Sequence, residues 1–282
     1  MTRRFTRLAW AAAAATYFLI ILGAIVRITG SGLGCGEHWP LCNGRLLPPL
    51  DLPTLIEYGH RLAALAVTVL VVAVAIAGWR LASAAGPELQ SARRLSVLAV
   101  ILLTIQIALG AVTVKLDLPP WTIILHLGTA MLLFAALLVA ARLTPPVAEA
   151  RESVDRAARA SLGLGFVVIL LGALVANLHA TYACAGFPLC NGALWPAGGL
   201  AHLQWIHRLL AYLLFFHVAG WALRRREGPA LAVFALVTLQ VIVAAAMVLA
   251  GFPKVLQATH VAVGAAVWAG LVIAATPRRL SV

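Results

Sequence analysis

The chain has 282 residues, 63% of them hydrophobic and only 11% charged, with a mean hydropathy of +0.99. A soluble domain of this size needs far more charge on its surface, so the composition excludes one and points to apolar spans of about 18 or more residues crossing a bilayer. The net charge of +12 falls in short clusters between apolar runs, with no basic face interleaved with aromatics. That pattern argues against nucleic acid and for charges that set membrane orientation.

In hydrocarbon every backbone N–H and C=O must be satisfied internally, which leaves helices or a closed barrel. The runs are Ala/Leu/Val-rich and lack period-two alternation, so helices are expected. The first run follows Met1-Thr2-Arg3-Arg4, reaches about Ile28 and has no clear small-x-small cleavage site. It reads as a retained helix, not a removed leader. The sequence predicts helices near residues 8–28, 55–79, 95–116, 122–142, 160–180, 203–223, 229–250 and 256–276. Pro119-Pro120 and Pro253 break the chain before the fourth and eighth helices, and Gly86-Pro87 and Gly228-Pro229 punctuate the loops before the third and seventh. The segment 142–160, with Pro145, Pro146 and several charges, is the expected linker.

Of the 21 Lys and Arg residues, fifteen fall on the side of the termini, from Arg3, Arg4 and Arg7 to Arg278 and Arg279. The other six, Arg27, Arg45, Arg61, Lys115, Arg208 and Lys254, fall on the opposite side or at its helix ends. The expectation is a multi-pass cell-membrane protein with both termini cytoplasmic and the cysteine loops on the outer face. An internal repeat joins two halves. Pro40-Leu41-Cys42-Asn43-Gly44 recurs as Pro188-Leu189-Cys190-Asn191-Gly192. Each copy follows a helix carrying Gly-Ala-x-Val (Gly23 to Val26, Gly172 to Val175) and precedes one carrying His-Arg-Leu. Gln106 and His126 match Gln240 and His260, both 20 residues apart. The expected fold class is therefore all-α integral membrane, with eight transmembrane helices as two pseudo-two-fold-related four-helix bundles, residues 1–145 and 146–282.

Four of the eight histidines, His60, His126, His207 and His260, sit on even helices near their outer ends. Ionisable groups within spans are costly and usually face a bundle interior. Two imidazoles from facing helices of one bundle can clamp a planar metal cofactor, and a haem iron takes histidine axially. One pair in each half suits one haem per half. A structural zinc site fits poorly, since no third ligand recurs beside either pair. His38, His179 and His202 are expected to be loop or helix-edge residues, and His217, which has no repeat partner, to pack in the core. Arg61 and Arg208 follow their histidines and could either bind haem propionates or anchor at the interface.

Glu57 lies one turn before His60, where the second half has Gln204. The difference suggests chemistry in the first half and electron transfer in the second. Thr54-x-x-Glu57 also fits a capping box at the start of the second helix. Cys35 with Cys42 and Cys184 with Cys190 lie in outer loops, where an oxidising compartment favours two intra-loop disulfides. A redox role for the first pair stays open.

Gly34-Cys35-Gly36-x-x-Trp39-Pro40-x-Cys42-Asn43-Gly44 followed by Glu57-Tyr58-x-His60-Arg61, with the second cysteine pair, His207-Arg208 and His260, resembles the haem A synthase family over essentially the whole chain. That resemblance implies an oxidoreductase that converts the C8 methyl of haem O to a formyl group by two hydroxylations, giving haem A for cytochrome c oxidase. It implies that His60 and His126 bracket the substrate haem, that His207 and His260 ligate a resident haem b, and that Glu57 is the functional carboxylate. The expected partners are haem O, a haem O synthase that supplies it, membrane lipid and a second copy of the chain, but not nucleic acid. Two other readings remain at this stage: a diheme b-type carrier passing electrons from quinol, and a membrane thiol oxidant using the outer cysteines.

Overall fold

The computed structural model describes residues 1–36, 39–85, 90–143 and 155–276. Eight α-helices run in order: α1 Thr2–Thr29, α2 Leu52–Ala85, α3 Gln90–Lys115, α4 Pro120–Leu143, α5 Arg156–Asn177, α6 Gly199–Arg225, α7 Gly228–Leu249 and α8 Lys254–Ala274. All eight are long and apolar enough to cross a bilayer. The chain is a multi-pass, all-α membrane protein. Among the described residues the only extended pairings are two isolated bridges, Cys42 with Arg45 and Cys190 with Ala193. The Gly86-Pro87 turn, the Pro145-Pro146 linker, His38, Arg151, Arg278 and Arg279 lie outside the described residues.

Every helix starts earlier than hydropathy alone suggests, and α1 to α6 also run longer. α2 continues past Arg80 to Ala85 because nothing in Leu81-Ala82-Ser83-Ala84-Ala85 breaks it. Leu81 and Ala82 are buried, and the Arg93 guanidinium lies 4.1 Å over the Trp79 ring. The start of α2 overturns the capping-box expectation. Asp51, not Thr54, caps the helix, its Oδ1 accepting the Thr54 N–H at 3.1 Å. The Thr54 hydroxyl instead donates to the Gly34 carbonyl at 2.7 Å, and Glu57 turns to other partners.

The chain forms two compact units, Met1–Ser153 with Thr276–Val282, and Val154–Ala275. In the first, each helix packs on its chain neighbours and α4 closes on α1; in the second, α8 closes on α5 in the same way. Each unit is thus a four-helix ring in which the even helices face each other across the interior without backbone contact. The connections before α4 and α8 match. Asp117 and Leu118, like Gly251 and Phe252, adopt positive φ before a proline. These residues close their helices, Leu118 N–H donating to the Thr113 carbonyl and Phe252 N–H to the Met247 carbonyl.

Packing in the first unit is uneven along its length. Every buried apolar helix residue lies at or beyond Ile20, Val67, Leu103 and Ala130 on the side away from the cysteine loops. Phe5, Val71, Val74, Met131 and Leu137 fill that far end. The loop end, which carries His60 and His126, has no such core among the described residues. The second unit packs a similar far-end core around Val218, Trp221, Val233 and Leu271. It also keeps a satellite cluster at the loop end, where Trp205 and Ala201 pack on the second disulfide.

Candidate functional site

Each unit brings together one histidine from each of its two facing even helices. His60 (α2) and His126 (α4) lie close enough for their ring charges to interact, as do His207 (α6) and His260 (α8). All four are half-buried. Nδ1 of His60, His126 and His207 is buried without a hydrogen-bond partner. Among the described residues no three His, Cys, Asp or Glu side chains come together. Two imidazoles facing across a bundle, with polar atoms left unpartnered in an apolar interior, fit a planar iron macrocycle held from both faces. The donor set suits haem and not a tetrahedral ion.

The imidazoles rest on features of the odd helices. A Cβ added at Gly23 would stand 3.2 Å from Cε1 of His60, one at Gly110 3.2 Å from Cε1 of His126, and one at Gly172 2.9 Å from Cε1 of His207. Gln106 Nε2 lies 2.9 Å from His126 Nε2. Gln240 Nε2 lies 3.2 Å and 3.3 Å from Nδ1 and Nε2 of His260. The Gly-Ala-x-Val and Gln…His repeats signalled these contacts, but only the three-dimensional pairing reveals that the glycines face the histidines.

Both cysteine pairs are disulfide-bonded, Cys35 to Cys42 and Cys184 to Cys190. The repeated Asn-Gly explains the loop shape. Asn43 and Gly44, like Asn191 and Gly192, both take positive φ, the signature of a type I′ turn. Cys42 and Arg45 exchange both backbone hydrogen bonds across it. Trp39-Pro40 and Phe187-Pro188 are both cis.

These loops, and not the open interior, take most of the arginine donors. Arg61 donates from Nε and Nη2 to Glu57 and from Nη1 to the Leu41 carbonyl at 2.8 Å. Glu57, 3% exposed, also accepts the Cys35 N–H at 2.8 Å. Gly34 packs so tightly on the start of α2 that a Cβ there would meet the Pro53 backbone at 2.6 Å. In the second unit Arg208 has no carboxylate partner among the described residues. It donates to the carbonyls of Gly186, Leu189 and Cys184 at 2.8, 2.9 and 3.0 Å. Gln204, at the position of Glu57, is buried with its Oε1 unpartnered.

The other described histidines make separate contacts. His179 precedes a single 3₁₀ turn, Ala180–Ala183. His202 packs on Trp195 with ring centroids 5.2 Å apart. His217 reaches the Ala157 carbonyl at 3.3 Å.

Comparison with known proteins gives the same answer from another direction. The COX15-CtaA family model, a cytochrome oxidase assembly protein, matches residues 6–54 and 52–272. A heme A synthase of Bacillus pumilus is 35% identical over 213 residues, covering 70% of this chain and 67% of that protein. A heme A synthase of Exiguobacterium sibiricum is 34% identical over 256 residues, 86% and 84% of the two chains. One of Geobacillus kaustophilus is 34% identical over 229 residues, 77% and 71%. With the match running through both units and all four paired histidines, the chain belongs to the COX15-CtaA family of cytochrome oxidase assembly proteins.

Proposed function

We propose that this chain is a haem A synthase, an oxidoreductase that converts the C8 methyl of haem O to a formyl group. The observation that carries the reading is one facing histidine pair per unit, with the first pair at a loop end where, among the described residues, no helix buries an apolar side chain. That arrangement suits a large, exchangeable porphyrin in the first unit and a permanently held one in the second. The family membership and the heme A synthase relatives support the same substrate.

In this reading His60 and His126 hold haem O, and residues 1–145 form the catalytic half. His207 and His260 hold a haem b, with residues 146–282 as the electron-transfer half. Haem b, when bound there, supplies one-electron transfer away from the substrate. Each hydroxylation adds the oxygen of one water to the methyl carbon and releases two electrons and two protons. The second yields a geminal diol that loses water to leave the formyl group. A substrate iron held by two imidazoles has no open position for dioxygen, which favours water as the oxygen source.

Glu57 supplies a fixed negative charge one helical turn from His60, able to stabilise developing positive charge and to take a proton at its carboxylate. Arg61 and the Cys35 N–H hold that carboxylate in one orientation. The charge asymmetry supports cytoplasmic termini and outer cysteine loops. A haem O synthase as supplier, and self-association, belong to the same proposal.

The test is expression in membranes that supply haem O, followed by chromatography of the extracted haems. Haem A together with protohaem is expected. Protohaem alone, with haem O left unconverted, sinks the reading.

A further inference from the structure

The structure points to a device that sets the orientation of each imidazole, and it differs at one of the four. Three histidines lie against bare helix backbone. At Gly23, Gly110 and Gly172 a Cβ would come within 2.9–3.2 Å of the ring, closer than ordinary van der Waals contact. The backbone one turn earlier takes part. The main chain of Gln106, four residues before Gly110, lies beside His126, and that of Val168, four residues before Gly172, beside His207, while Nδ1 of each ring is buried with no hydrogen bond made to it among the described residues. A helical carbonyl keeps a second lone pair beyond its own helix bond. With no side chain at the glycine, an imidazole can reach that oxygen with Nδ1–H. The tautomer is then fixed, and the Nε2 lone pair is left for a metal.

The fourth site departs from this pattern. The residue that matches Gly110 in the repeat, four after the glutamine, is Ala244. Both units bring a glutamine amide to the α4 or α8 histidine, Gln106 to His126 Nε2 at 2.9 Å, but His260 has no glycine seat beside it, and the Gln240 amide nitrogen lies against both its ring nitrogens. Space for that amide comes from Gly264, one turn after His260, where a Cβ would stand 3.3 Å from Gln240 Nε2. The first unit has Ala130 at that position. The glycine has moved from the helix facing the histidine to the histidine's own helix.

We propose that Gly23, Gly110 and Gly172 are positioning residues for His60, His126 and His207, and that Gln240, admitted by Gly264, is the positioning residue for His260. The inference rests on the haem reading above. It adds that three axial imidazoles are seated against bare glycine backbone, and that the fourth has no such seat and relies on a replaceable side chain.

The experiment uses the full chain purified with its haems. Gly172→Ala is expected to lower protohaem retention about 10-fold or more, the usual cost of losing a ligand's supporting contact, and to raise the high-spin fraction of what remains. It should leave the total of haem O and haem A bound to the first unit unchanged, with haem O rising at the expense of haem A. Gly23→Ala and Gly110→Ala should do the reverse, depleting haem O and haem A but not protohaem. Gln240→Leu should keep protohaem bound but alter its low-spin electron paramagnetic resonance signal. Gly163→Ala and Gly220→Ala, where an added Cβ meets nothing within 4 Å, should match wild type and report folding.

Wild-type spectra and haem content in Gly23→Ala, Gly110→Ala and Gly172→Ala would overturn the seats. So would uniform loss of both haems from each. If Gly172→Ala does not accumulate, the two 3.2 Å sites decide. A wild-type protein that binds no haem overturns the underlying reading itself, an outcome distinct from haem-loaded glycine variants that behave normally.

Discussion

At the residue scale the informative contrast is Glu57 against Gln204. The sequence shows the difference and suggests different jobs for the two halves. The structure adds what sequence cannot: Glu57 is buried in a three-way contact with Arg61 and the Cys35 N–H. Spacing along α2 reveals the Glu57–Arg61 pair, but the link to Cys35 needs the loop folded back over 22 residues. The same holds for Arg208, whose three carbonyl partners sit in a loop. Glu57→Gln keeps an oxygen for the Cys35 N–H while removing the charge. Its melting temperature in detergent should fall, because Arg61 loses its anion, and haem A formation per folded chain should fall by about 10²–10⁴-fold, the range for losing a positioned proton acceptor. A variant that is stable and converts haem O at the normal rate removes Glu57 from the chemistry. Arg208→Leu should cost stability instead, about 1–3 kcal/mol for carbonyls left without their charged donor. Thermal melts and faster proteolysis within the 184–190 loop would report it.

At the element scale the sequence located all eight helices and the breaks before α4 and α8, because hydropathy and proline act locally. It misjudged ends that tertiary contacts decide. The overrun of α2 depends on burial of Leu81 and Ala82, and its true cap, Asp51, lay outside the expected helix. The start of α5 is a similar case. Asp155 accepts the Ala157 N–H at 2.8 Å, the Arg225 Nε–H at 2.7 Å and the Trp221 indole N–H at 3.2 Å. One carboxylate thus caps α5 and ties it to the end of α6. The Ala157 N–H and then Arg225 hold its carboxyl below the ordinary value of 3.8. A depressed folded-state value means the contribution is full above the unfolded value and fades as pH falls through the folded one. Asp155→Ala should therefore lower stability at pH 7 by about 1 kcal/mol through the lost cap alone. The gap between variant and wild type should narrow as pH drops below about 4. Melts of both proteins at neutral and acid pH check this; a gap that stays constant to pH 3 would mean the carboxylate charge is not what stabilises the junction.

At the scale of the whole molecule the repeat gives each unit the same helix ring and the same histidine pair, and the proposed division of labour rests on the differences between the units. Letter-for-letter identity in the loops and the equal Gln-to-His spacings made the repeat legible. What the sequence hid was the uneven packing. The loop end of the first unit carries no buried apolar helix residue among those described, while the second packs Trp205 and Ala201 against its disulfide. A bundle end without core is costly unless something fills it, since cavity formation destabilises by several kcal/mol for each large side chain's worth of volume. On the proposed function, a substrate that enters and leaves would suit the loop end without buried helix residues in the first unit, and a resident cofactor the closer packing in the second. The four histidines should then separate into two pairs by phenotype. His60→Leu or His126→Leu should abolish haem O retention while protohaem stays bound. His207→Leu or His260→Leu should lose protohaem, and haem O should remain bound but unconverted. Haem content per purified chain and turnover with added haem O measure both. If every single substitution removes both haems from a chain that still elutes as folded protein, the units do not divide the labour this way.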